Sequence, residues 1–236
     1  MEFVNGQNQL ARINDPDGFT FVRSGEGKDY PIIAKIESDD FFYYENSLND
    51  WLKVRAIKWN SNGDQIEGFM HKSKVQPIES LDIKTKQKLF KKVLSKQKSN
   101  AELFQKSCNS NDTTGYYKII HSLEEYDDTR YSPILSCLPN YLCLSKDTIL
   151  LQLFFATLWA DKGSANELQS EAIGNCYVCA PNFILGQAKW ITNKEQQILI
   201  FDLIEWGLLN HFNVNEDSIS QNKQFNRLKK LLDANK

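Results

Sequence analysis

The sequence predicts an α+β multidomain fold: a small β-barrel over residues 1–78, then an all-α helical bundle over residues 79–236. In the N-terminal third, short segments of β-branched and aromatic residues alternate with turn residues, which is typical of a small barrel. From Glu79 onward, apolar residues recur at spacings of three and four, which indicates helices. A chain of 236 residues is long enough for two such domains.

Turn and strand signals follow one another through the first domain. Asp15-Pro16-Asp17-Gly18 predicts a turn, because proline presets φ and glycine accepts a positive φ. The segments 32–36 and 41–44 have the composition of strands. Residues 51–56 alternate in polarity with a period of two, as expected of a half-buried strand. Asn62-Gly63, which follows them, is a strong signal for a hairpin turn.

Four blocks of this domain resemble the bacterial SH3 domain family. Val22-Arg23-Ser24-Gly25-Glu26-Gly27 is similar to the family signature Asn-Val-Arg-Ser-Gly-Pro-Gly. The segment 11–18 resembles the family's first strand and turn, and 50–55 resembles its Asp-Trp-Trp-Lys-Val strand. The segment 68–75 resembles its closing Gly-Trp-Val-His-Lys-Ser-Arg-Ile. The resemblance covers residues 11–78 and implies an SH3-like barrel that acts as an interaction module.

Two departures from the family signature change the loop surface. Phe21 stands where asparagine is usual, and Glu26 stands where proline is usual. The resemblance therefore predicts the fold of this domain more firmly than its ligand.

Composition and charge bound the function classes. A chain with a formal net charge of −2 lacks the basic surface expected of a nucleic-acid-binding protein, so nucleic acid is not predicted as a partner. The most apolar run, 148–160, is shorter than the ~20 residues that a membrane span needs, so no span is predicted. The start of the chain, Met1-Glu2-Phe3-Val4, lacks the basic and apolar regions of a signal peptide. These features predict a soluble, cytoplasmic protein.

The second domain begins with a basic amphipathic segment, 79–106. It contains eight lysines and three acidic residues, with Phe90, Val93 and Leu94 at helical spacing. The lysines form either a surface for an anionic partner or a solvated face whose opposite side packs on protein. The solvated face is favoured, because a run of charges on one helix usually serves solubility.

The following helices are predicted from capping and periodicity. A short helix is expected over 116–126. Ser145 is the predicted N-cap of the next helix, 148–160. That helix is apolar nearly all round, so we expect it to be surrounded by protein at the centre of the core, and Gly163 to end it.

Three further segments complete the bundle. A helix is predicted over 166–186, with a break or bend near Pro181. A capping box that begins at Thr192 predicts a long helix over 193–212. The last predicted helix covers 216–232, with its apolar residues on one side.

The five cysteines are an odd number, which disfavours a secreted disulfide framework and predicts reduced, mostly buried thiols. Cys176 and Cys179 form a C-x-x-C pair that, with Cys137 and Cys143, has the ligand number of a four-thiolate zinc site. Pro139 and the helical setting of the second pair argue against zinc. We therefore predict no metal and no cofactor.

No catalytic constellation is recognised, so the chain is predicted not to be an enzyme. Cell-wall cysteine peptidases often carry bacterial SH3 domains, but their Asp-Cys motif is missing, and His211 falls late on a helix. Asp202 and Glu205 share a helix face, where they form either a buried acid–base pair or part of a solvated stripe. The solvated stripe is the favoured interpretation.

The barrel contains more aromatic residues than so small a core can bury. The predicted ligand-binding residues are Tyr43, Tyr44, Trp51, Trp59, Phe69 and His71. The alternative is that their exposed rings meet the helical domain.

The leading hypothesis is a non-enzymatic intracellular protein that binds another protein, in its concrete form an immunity-type protein that neutralises a toxin. The alternative is an envelope protein that holds peptidoglycan through the SH3-like domain, with the helical part as a hydrolase or spacer. A third hypothesis is a structural scaffold whose helical domain dimerises.

Overall fold

The computed structural model describes residues 9–59, 65–108, 113–158, 166–214 and 222–235. The chain divides into two compact units. The first unit comprises Met1–Asp82 and Asp128–Pro133, and the second comprises Ile83–Asp127 and Ile134–Lys236. The division after Asp82 lies close to the boundary expected after residue 78, but the return of residues 128–133 to the first unit is not a feature that the sequence predicts.

Among the described residues of the first unit, seven strands form one antiparallel sheet. The strands are β1 (Gln9–Ile13), β2 (Phe19–Arg23), β3 (Ile32–Glu37), β4 (Phe41–Tyr44), β5 (Trp51–Trp59), β6 (Gln65–His71) and β7 (Val75–Pro77). Their order across the sheet is β3-β2-β6-β5-β4-β1-β7. The strand character predicted for 32–36, 41–44 and 51–56 is confirmed.

The predicted turn between β1 and β2 is confirmed. The Gly18 amide donates to the Asp15 carbonyl at 3.1 Å, and Gly18 has a φ of +78°. An L-residue with a side chain is strained at this φ, so glycine is the residue that closes the turn without cost. The predicted Asn62-Gly63 turn lies outside the described residues, although β5 and β6 on either side of it pair as a hairpin requires.

The predicted barrel is corrected to an open sheet. Within the described ranges, β3 and β7 are its two edges and do not pair with each other. β7 has only three residues and ends at Pro77, which has no amide hydrogen to donate to a further strand. A short strand ending in proline cannot complete a closed ring of hydrogen bonds.

One face of the sheet carries the hydrophobic core of the first unit. Its buried members are Ala11, Ile13, Val22, Ile36, Phe42, Tyr44, Leu52, Val54, Ala56 and Met70. They come from alternate positions of neighbouring strands, as the pleat of a sheet dictates. The side chains of the residues between them therefore point to the opposite face of the sheet.

An ion pair connects residues 128–133 to the sheet of the first unit. Nη2 of Arg130 lies 2.5 Å from Oδ1 of Asp40, whose side chain is only 1% exposed. Oδ2 of the same carboxylate accepts the Glu37 amide hydrogen at 2.9 Å. The carboxylate thus joins the β3–β4 turn to a segment 90 residues away.

The regular secondary structure described in the second unit is helical, and the first two residues of α3 belong to the first unit. They are α1 (Ile83–Cys108), α2 (Thr113–Tyr126), α3 (Ser132–Leu135), α4 (Leu138–Ser145), α5 (Thr148–Leu158), α6 (Asn166–Cys179), α7 (Pro181–Ala188), α8 (Lys194–His211) and α9 (Lys223–Asp233). The predicted break at Pro181 is confirmed, because α6 ends and α7 begins there. Gly163 and the predicted start of the last helix at 216 lie outside the described residues.

Two predicted helix caps are each displaced along the chain. Asp147, not Ser145, caps α5: its Oδ1 accepts the Leu150 amide hydrogen at 2.9 Å. Asn193, not Thr192, caps α8, accepting the Gln196 amide hydrogen at 3.1 Å. Asparagine outranks threonine as a cap, which accounts for Asn193. Serine and aspartate are equivalent caps, so residue type does not choose between Ser145 and Asp147.

Two helix contacts form the core of the second unit. α5 packs against α1, burying Leu151, Phe154 and Phe155 completely, in agreement with its predicted central position. The expectation that protein surrounds α5 is wrong at Ile149, which is 69% exposed. α6 and α8 form the most extensive helix pair. Within the described ranges, no helix has both the length and the apolar content that crossing a membrane needs.

Candidate binding surface

The register of β4, β5 and β6 gathers the predicted aromatic residues on one face. Leu52, Val54 and Ala56 enter the core, so the intervening β5 residues Trp51, Lys53 and Arg55 point the other way. Trp51 lies opposite His71, Lys53 opposite Phe69, and Arg55 opposite both Glu67 and Tyr43. We call these seven residues the outer face: Tyr43, Trp51, Lys53, Arg55, Glu67, Phe69 and His71.

At one end of the outer face, Trp51 and His71 form a cross-strand aromatic pair. Their ring centroids are 5.6 Å apart with the planes at 84°, an edge-to-face contact. Nδ1 of His71 accepts the Ser73 amide hydrogen at 3.3 Å, which holds the imidazole in place. Oγ of Ser73 lies 2.8 Å from the same nitrogen. The pair presents an apolar edge whose imidazole is held by Ser73.

At the other end, Arg55 stacks on Tyr43 beside a shallow depression. The guanidinium carbon of Arg55 lies 5.4 Å from the centroid of the Tyr43 ring, a cation–π contact. Nε of Arg55 is shielded from solvent and has no hydrogen-bond partner within the described part of the chain. Arg55 and Tyr43 thus place a cation and an aromatic ring together in the lining of the depression.

The depression has a cavity volume of only about 40 Å³ and is lined by Tyr43, Tyr44, Glu45, Lys53, Val54, Arg55 and Glu67. Nζ of Lys53 lies 3.9 Å from Oε1 of Glu45 and 3.6 Å from Oε2 of Glu67. These contacts neutralise the lysine within the surface. Among the described residues Arg55 has no ion pair, although it lies opposite Glu67 in the register.

The structure divides the predicted ligand-binding residues. Tyr43, Trp51, Phe69 and His71 share the outer face and are half-buried. Tyr44 belongs to the core with 5% exposure, and its hydroxyl donates to Oε1 of Gln9. Burial raises the pKa of the Tyr44 hydroxyl, and Tyr44 also lines the depression beside Tyr43. The side chain of Trp59 lies outside the described residues.

Sequence reasoning missed Lys53, Arg55 and Glu67 as members of the surface. The alternation over residues 51–56 already places Lys53 and Arg55 on the same side as Trp51. Only the pairing of Arg55 with both Glu67 and Tyr43 shows that they adjoin the aromatic residues. Cross-strand neighbours depend on register, which the residue composition of a strand does not reveal.

The cysteines form a disulfide instead of remaining reduced. Cys143 and Cys179 are bonded, with their Cα atoms 6.0 Å apart, while Cys137 and Cys176 are free and buried. Burial raises the pKa of the Cys176 thiol to about 12, so it is not a nucleophile at neutral pH. A bonded sulfur cannot serve as a thiolate ligand, which removes two members of the four-thiolate set considered for zinc.

The disulfide is expected to stabilise the second unit. Cys179→Ala should lower the free energy of unfolding of the oxidised protein by about 2–4 kcal/mol, because the bond closes a loop across a separation of 36 residues. Urea unfolding followed by circular dichroism at 222 nm measures this difference. Reductant should bring the wild type to the level of the variant and leave the variant unchanged; equal stability of the two oxidised proteins would contradict the expectation.

The other candidate catalytic residues of the second unit are Asp202, Glu205 and His211. Asp202 is exposed, and Oε1 of Glu205 pairs with Nζ of Lys229 at 2.7 Å, so the two do not form a buried acid–base pair. His211 lies at the end of α8, and its Nδ1 is 2.6 Å from Oδ1 of Asn175. Among the described residues there is no cluster of three or more potential metal ligands.

A scan against protein-family models, a search of curated proteins and a search of solved structures each found no match to this chain. The resemblance of residues 11–78 to bacterial SH3 domains therefore stays a prediction.

Proposed function

We propose that this chain is a non-enzymatic protein-binding protein and that the outer face is its contact surface. The observation that carries the proposal is that Tyr43, Trp51, Phe69 and His71 share one side of the sheet with Arg55. Tryptophan, tyrosine and arginine are the residue types that dominate binding energy at protein interfaces. Rings already held by cross-strand contacts lose little conformational entropy when a partner covers them.

In the leading form of the proposal, the protein acts inside the cell as an immunity-type protein that neutralises a toxin. The lack of a recognised catalytic constellation supports a binding role over a chemical one. The first test is affinity purification of the tagged protein from its native host. A stoichiometric partner encoded beside the gene supports this form, and recovery of no protein partner counts against it.

The outer face should carry the binding energy for that partner. Trp51→Ala and Arg55→Ala are each expected to weaken the complex by about 2 kcal/mol, or roughly 30-fold in Kd, because each removes a hot-spot side chain. Calorimetric titration of the purified partner into each variant measures the change. Trp190→Ala is the matched control, since Trp190 is 75% exposed but lies in the second unit. An equal loss with the control would place the interface elsewhere.

The alternative is an envelope protein that binds peptidoglycan through its first unit. The Cys143–Cys179 disulfide favours this form, because structural disulfides persist mainly in oxidising compartments. Two measurements separate the forms: co-sedimentation of the protein with purified sacculi, and rapid thiol trapping in whole cells. Sacculus binding lost in Trp51→Ala together with an oxidised pair in cells supports the envelope form. A reduced pair in cells supports the intracellular one.

A further inference from the structure

Helix α1 divides its side chains into an apolar side and a basic side. Phe90 and Leu94 are completely buried on the apolar side. Between residues 84 and 96, five exposed lysines lie on the other side; one of them, Lys92, has an interaction partner, and the remaining four, which we call the basic face, are Lys84, Lys88, Lys91 and Lys96. Steps of four and three residues align Lys84, Lys88 and Lys91. Lys96 is on the adjoining side of the helix, about 80° around the axis from Lys88. From Lys84 to Lys96 the helix rises ~18 Å.

The basic face is not neutralised by the described residues of the chain. None of its four lysines makes an ion pair or hydrogen bond in the part of the chain that the structure describes. On the next turn, Nζ of Lys98 lies 3.8 Å from Oε1 of Glu102, the one acidic residue of α1. The nearby Asp147 carboxylate is engaged with Gln87 and with the start of α5. Four unmatched charges are thus concentrated on one helix.

This arrangement is unfavourable for the isolated chain. Soluble surfaces usually intersperse both signs of charge, and like charges one turn apart destabilise a helix. The whole chain has a formal net charge of −2 although α1 carries eight lysines, so the rest of the chain is acidic. A partner that supplies carboxylates to the basic face relieves the repulsion along α1.

We propose that the basic face is a docking surface for an acidic segment of another protein, with carboxylates spaced along one side of a helix. A segment of about 12 residues matches the ~18 Å length of the face. Nucleic acid and anionic bilayers extend far beyond that length. The face also lacks aromatic residues for base stacking, which single-stranded nucleic acid sites combine with positive charge. This surface is separate from the outer face, so the two proposals are tested independently.

The test uses the full chain and a fluorescent, glutamate-rich peptide of about 15 residues. A glutamine-rich peptide of equal length is the negative control. The quadruple variant K84Q/K88Q/K91Q/K96Q should bind the glutamate peptide about tenfold more weakly than wild type at physiological salt. Lysine and glutamine have similar helix propensity, so α1 is retained. Fluorescence anisotropy gives the Kd, and circular dichroism checks the fold.

A second quadruple variant separates a local surface from net charge. K28Q/K189Q/K223Q/K230Q removes four exposed lysines outside α1 and changes the total charge equally. It should bind the glutamate peptide within about twofold of wild type. Equal weakening by both variants, absence of peptide binding to wild type, or tighter binding to single-stranded RNA or to phosphatidylserine vesicles than to the peptide would each overturn the proposal.

Discussion

Gly207→Ala is expected to lower the free energy of unfolding of the second unit by about 3 kcal/mol or more. A Cβ at position 207 of α8 would stand 1.9 Å from the Ser170 carbonyl oxygen and 2.8 Å from the Cα of Gly174, both in α6. These neighbours are backbone atoms, so no side chain can rotate away. The two helices would have to separate along the most extensive helix pair of the unit. Thermal unfolding followed at 222 nm measures the loss, because the regular secondary structure of the second unit is helical.

Gly186→Ala is the matched control. Gly186 also lies within a helix, α7, but a Cβ there would meet nothing within 4 Å. Alanine has the higher helix propensity, so this substitution should be neutral or stabilise the unit by up to about 1 kcal/mol. A similar loss of stability in both variants would contradict the claim that the short distance between the α6 and α8 backbones requires glycine at position 207.

Asp40→Ala is expected to destabilise the first unit by about 3–5 kcal/mol. The substitution removes the carboxylate at 2.5 Å from Arg130 and leaves a guanidinium whose side chain is 19% exposed without that counter-charge. It also removes the acceptor of the Glu37 amide in the β3–β4 turn. Hydrogen exchange read by mass spectrometry in peptides from β1 to β6 should become about 150- to 4,000-fold faster.

The control for this prediction is Asp29→Ala, an exposed carboxylate in the loop before β3 that has no partner among the described residues. It should exchange at the wild-type rate, since exposed substitutions away from such features change stability little. A double substitution, Asp40→Asn with Arg130→Met, should recover much of the loss, because it leaves no unpaired charge. No recovery together with an Asp40→Ala effect near zero would contradict the role assigned to this pair.

Local sequence signals predicted the elements of this fold. Strand composition and the Asp15–Gly18 turn identified the β segment, and helical periodicity identified α1, α5 and α8. Proline at 181 located the break between α6 and α7. These signals act over a few residues, through φ restriction, side-chain alternation and the helical repeat, so they can be read without a structure.

The candidate site was predicted in part. The aromatic character of Tyr43, Trp51, Phe69 and His71 singled them out, but the same argument included Tyr44, which enters the core. One position along a strand reverses the face, so residue type alone cannot separate Tyr43 from its neighbour. Arg55 became part of the site only through its register with Tyr43 and Glu67.

The sequence by itself determined the order of a β segment and a helical segment, the basic character of α1 and the position of most helices. Only the tertiary structure decided that the sheet stays open, that Cys143 meets Cys179 and that Arg130 meets Asp40 across 90 residues. It also decided that two glycines, 174 and 207, mark the closest approach of two helices. Each of these depends on which distant backbones come together, and that is fixed by the packing of the whole chain rather than by any short stretch of it.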